Sequence, residues 1–79
     1  MTIRERINFL EALEEVINLI DGRIRSELVW RTDDDGNYMR DDDGEIIAFE
    51  PDPVKEKYSY DKWQAYKRIK AEVEKLANK

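Results

Sequence analysis

At 79 residues, with 41% hydrophobic and 42% charged residues and a formal net charge of −5, the chain has room for one domain (1–79), near the lower size limit for folding without staples. It contains no Cys and no His, which excludes disulfides, thiolate metal sites and the usual His-based nucleophile pairs, so no enzyme activity, no metal and no cofactor is expected. Charges within Met1-Thr2-Ile3-Arg4-Glu5-Arg6 interrupt what would be the apolar part of a signal peptide, and no run of about 18 apolar residues occurs. A cytoplasmic protein with no membrane partner is the expectation.

The first element is a helix over 2–21. Thr2-Ile3-Arg4-Glu5 matches a capping box, and Asp21-Gly22 reads as the stop. Ile3, Ile7, Leu10, Leu13, Val16, Ile17 and Ile20 recur at three- and four-residue spacing, and Phe9, Ala12 and Leu19 widen the face beyond one stripe. A helix so apolar needs two covering surfaces, either a sheet plus a second helix or a partner subunit.

From Arg23 to Arg31 the pattern reads as two-fold, with Ile24, Leu28 and Trp30 on one side, so a strand is expected over about 23–32. Asp35-Gly36 and Asp43-Gly44 are turn dipeptides, which places further strands at about 37–40 and 45–50 in an antiparallel meander. Pro51-Asp52-Pro53 ends the last strand, and Asp52 is placed to cap a short helical turn with Pro53 at its first position. Ser59 or Asp61 then caps a second helix over about 59–77, with Trp63, Tyr66, Ile69, Val73 and Leu76 on its apolar face. Lys75 and Lys79 suit its negative end.

The resulting fold class is α+β, a two-layer domain of helix, three-strand antiparallel meander and helix. A helical hairpin with a long acidic β arm is the alternative. Trp30 and Trp63 both fall on faces expected to be buried.

Charge is distributed unevenly. Residues 1–32 hold five bases and six acids, residues 33–52 one base and nine acids, and residues 53–79 eight bases and four acids. The central block carries Asp-Asp-Asp-Gly twice, at 33–36 and 41–44. Calcium loops also begin with spaced Asp before Gly, but with Gly36 in the sixth place the first place is Arg31, and with Gly44 it is Met39. Each loop is half a site, which leaves weak divalent-cation binding as an alternative rather than the main reading.

The lysines and aromatics of the second helix raise the possibility of nucleic-acid binding, but the aromatics have core spacing and the acidic block repels phosphate, so no direct nucleic-acid contact is expected. Acids on exposed turns stay ionised and lack the dry pocket that acid–base catalysis requires. The favoured function is a protein-binding module, in the manner of an acidic inhibitor or nucleic-acid mimic. Asp33, Asp34, Asp35, Asp41, Asp42, Asp43, Glu45 and Glu50 would meet a basic surface of a partner protein. A self-associating structural protein, for instance a homodimer formed through helix one or the last strand, is the competing reading.

Overall fold

The computed structural model describes residues 1–78; the expected role of Lys79 lies outside them. The chain forms α1 (Ile3–Ser26), β1 (Val29–Trp30), β2 (Ala48–Phe49) and α2 (Lys57–Ala77). α1 packs against α2 and β1 pairs with β2, while neither strand packs on a helix. The outcome is a helical hairpin with a small β arm at its closed end, and the expected two-layer meander is corrected to a two-strand antiparallel ladder.

α1 starts as its capping residue dictates, with Thr2 Oγ1 accepting from the Glu5 N–H at 3.1 Å. It runs past Asp21-Gly22 because Ile24 continues the series Ile17, Ile20 on the side that meets α2. The spacing from Ile24 to Leu28 is compatible with either period, and burial against α2 decides it. Arg23 and Arg25 sit in the last turn, where the helix dipole favours cations. The strand expected over 23–32 therefore shrinks to Val29–Trp30, paired with Phe49 and Ala48.

The strands expected at 37–40 and 45–50 are replaced by two knuckles beyond that ladder, closed by the single bridges Thr32↔Tyr38 and Arg40↔Ile46. β2 itself spans only Ala48–Phe49. The knuckles take up the chain that a third strand would need.

At the start of α2, Asp52 Oδ1 accepts from the N–H groups of Val54 and Lys55 at 2.8 and 2.7 Å, which forms the expected turn after Pro51. α2 then begins at Lys57, ahead of Ser59 and Asp61, and its N-cap Glu56 makes no side-chain cap bond. The Glu56 carboxylate instead accepts from Arg31 Nη2 at 2.8 Å and from the Asp52 N–H at 2.7 Å. This network ties the arm to the root of α2.

Two ion pairs mark the helix register. Lys70 Nζ lies 2.6 Å from Asp21 Oδ1 and Lys62 Nζ 3.1 Å from Glu27 Oε1. In this antiparallel register Ala77 comes level with about residue 13 of α1, so the first turns of α1 extend past the end of α2. The molecule measures 60 × 30 × 14 Å with a radius of gyration of 17.2 Å, against about 12 Å for a compact domain of this length. Its thickness is that of a single helix layer. No helix among the described residues is long and apolar enough to cross a membrane.

Candidate protein-interaction surfaces

Two surfaces stand out, the acidic arm and the open faces of the hairpin. The arm is an eight-residue repeat. In the first unit the Asp33 N–H donates to the Asn37 carbonyl (2.8 Å) and the Gly36 N–H to the Asp33 carbonyl (3.1 Å). Asp33 Oδ1 accepts from the N–H groups of Asp35 (2.9 Å) and Asn37 (3.0 Å). The second unit repeats every bond with Asp41, Asp43, Gly44 and Glu45. Gly36 and Gly44 have φ of 82° and 81°, the left-handed conformation that closes a type I turn with a glycine bulge and that side-chain-bearing residues resist.

Rungs join the units. The Met39 N–H donates to the Arg31 carbonyl at 3.0 Å and the Ile47 N–H to the Met39 carbonyl at 2.9 Å. Trp30 meets Tyr38 edge-on at 5.6 Å between ring centres, and Arg31 stands over the Phe49 ring at 6.0 Å. Arg40 Nη1 also donates to the Gly44 carbonyl at 2.6 Å. The arm is thus organised largely by its own backbone, and the helices hold it only at its root, through Arg31 and Glu56.

This geometry divides the eight acids read from the sequence. Asp33 and Asp41 spend a carboxylate oxygen on their own turns. The carboxylates of Asp34, Asp35, Asp42, Asp43 and Glu45 are exposed and have no protein partner among the described residues. Glu50 lies apart from them, at the root of the arm. It lines a shallow groove of about 400 Å³ with Trp63, Lys67 and the Asp21–Lys70 pair. Among the described residues no group of three or more acids is arranged to hold a metal ion, so the divalent-cation alternative gains no support.

The second surface is apolar. Among the described residues only Ile20, Pro51 and Trp63 are buried. Leu19 is 65% exposed, Ile69 49%, Leu76 45% and Val16 42%. Trp63 is buried as expected, with the Lys67 ammonium 4.0 Å above its ring centre. Trp30, expected inside, is 61% exposed because the strand that carries it packs on neither helix. Ile69 and Leu76, expected on the same face as Trp63, are exposed. The sequence signal that separates them is their spacing with Tyr58 and Ala65, which forms a stripe about 100° away from the line that meets α1.

Electrostatics ties the frame together. The Lys55 N–H, and next that of Val54, holds the Asp52 carboxyl below its usual range. The Asp52 N–H does the same for Glu56, opposed by desolvation and aided by Arg31. Glu27 raises Lys62 and Asp21 raises Lys70. All four shifts favour the charged form.

Comparison with protein families, with curated proteins and with solved structures found no match to this chain.

Proposed function

We propose that the chain is a non-enzymatic protein-interaction module: a helical hairpin that completes its core against another protein and holds a stiff acidic arm clear of that contact. The observation that carries this reading is the burial pattern. Two long amphipathic helices enclose Ile20 and Trp63 while Val16, Leu19, Ile69 and Leu76 stay open. Apolar surface of this extent on a small protein marks a docking face. The pKa shifts toward the charged form also favour a structural role for these ionic groups over acid–base chemistry.

A second reading places the contact on the arm, in line with an acidic inhibitor or nucleic-acid mimic. The repeat supports it, because Asp34, Asp35, Asp42 and Asp43 are presented on a preformed scaffold. Such carboxylates pair with arginines and steer encounter, and the contact weakens with salt.

Affinity capture with the parent, a Leu19→Glu variant and an Asp34, Asp35, Asp42→Lys variant separates the two. A protein lost from Leu19→Glu and retained at high salt supports the apolar face. One lost only from the charge-reversed variant and released by salt assigns the contact to the arm. If both variants capture the same proteins as the parent, neither surface is the site.

A further inference from the structure

We infer that the protein filling the open face is a second copy of this chain, packed antiparallel to close a four-helix bundle; this rests on the interaction-module reading above. At 100° per residue, Phe9, Val16 and Leu19 lie on one flank of the line by which α1 meets α2. Ala65, Ile69 and Leu76 lie on the corresponding flank of α2. Antiparallel packing turns both flanks to the same side of the hairpin, so they form one apolar face, bordered toward the arm by the Lys62–Glu27 ion pair. The opposite side carries the groove with its Asp21–Lys70 pair, and its exposed apolar residues Ile3 and Ile7 lie only where α1 extends beyond α2. A two-helix layer with one apolar side is half of a four-helix bundle, and a two-fold axis lets the same side cover itself.

The areas agree. The accessible surface is 6520 Å², whereas a compact monomer of this mass exposes about 5,000 Å². Burying only half of that excess on each copy removes about 1,500 Å² in total, the size of a stable interface.

Charge selects the antiparallel arrangement. The arm, with nine acids and one base over residues 33–52, sits at one end of a molecule 60 Å long. Side-by-side copies in the same direction would bring two such blocks together. Opposed copies hold them apart by far more than the screening length of about 8–10 Å. They also bring the Arg4 end of each α1, which extends beyond α2, toward the arm of the partner.

The test is sedimentation equilibrium on the full chain from about 1 to 200 µM, combined with double electron–electron resonance between spin labels on Asp34→Cys, the chain having no other cysteine. Expected are a mass twice 9.5 kDa and a long label-to-label distance comparable with the 60 Å length of one copy. Leu19→Glu and Ile69→Glu should each weaken association about 100-fold with helical circular dichroism retained, since both positions are exposed in the single chain. A dimer with a short distance overturns the antiparallel arrangement, and a dimer indifferent to both substitutions overturns this face. A monomer with a broad melt and strong binding of an apolar dye overturns the second copy but leaves the interaction-module reading standing. A monomer with a sharp, concentration-independent melt and no dye binding overturns both.

Discussion

Asp33 and Asp41, eight residues apart, make the same pair of bonds: one carboxylate oxygen of each accepts the backbone N–H two residues on and the N–H four residues on, all at 2.9–3.0 Å. Their neighbours in the run have no such duty. Asp33→Ala should therefore cost the arm about 1–2 kcal/mol through two orphaned amides, while Asp34→Ala stays within about 0.5 kcal/mol. Hydrogen exchange at the Asp35 and Asn37 amides reads the difference. Equal exchange in the two variants would remove the structural role assigned to Asp33.

Gly22 lies inside α1 rather than at its end, with a helical backbone and open space where a Cβ would stand. Gly22→Ala should stabilise the protein by about 0.5–1 kcal/mol, because alanine loses less backbone entropy on entering a helix. A helix that stopped at Gly22 in a left-handed cap would be destabilised by the same change. Urea unfolding of the two proteins decides between these outcomes.

The two tryptophans should behave oppositely. Trp63 is 6% exposed and Trp30 61%. Trp63→Ala should cost about 3–5 kcal/mol, enough to unfold a small hairpin, while Trp30→Ala removes only an edge contact with Tyr38, worth about 1 kcal/mol. Acrylamide should quench the fluorescence of Trp63→Phe, in which only Trp30 remains, more strongly than that of Trp30→Phe.

Stability should be lost at both extremes of pH. Asp52 and Glu56 titrate lower in the folded chain than their ordinary values, so their contribution is present at neutral pH and disappears as the pH falls through the folded values, below about 4. Lys62 and Lys70 titrate higher, so theirs is complete below the ordinary lysine value and disappears as the pH rises above about 10.4. Melting temperatures should form a plateau between these limits. Glu56→Gln should flatten the acid side, and added salt should lower the plateau because these groups face water.

Local chemistry was legible in the sequence. Thr2 caps α1, Asp52 closes the turn after Pro51, the two Asp-Gly pairs turn the chain, and Trp63 is buried, because each depends on bonds or burial that a short stretch of chain specifies. The second helix was also visible, although its start at Lys57 was not, since a carboxylate shared with Arg31 and the Asp52 amide replaces the expected cap. Only the tertiary structure decided whether Arg23 to Ser26 was helix or strand. Ile24 and Leu28 fit both periods, and contact with α2 selects the helix. It also decided the fate of the acidic stretch, where an eight-residue repeat of self-capped turns leaves too little free backbone for a third strand. The apolar width of α1 was written in its sequence as a need for two covering surfaces. The fold supplies one, α2, because the arm organises itself through its own backbone bonds and leaves the other side of the hairpin open.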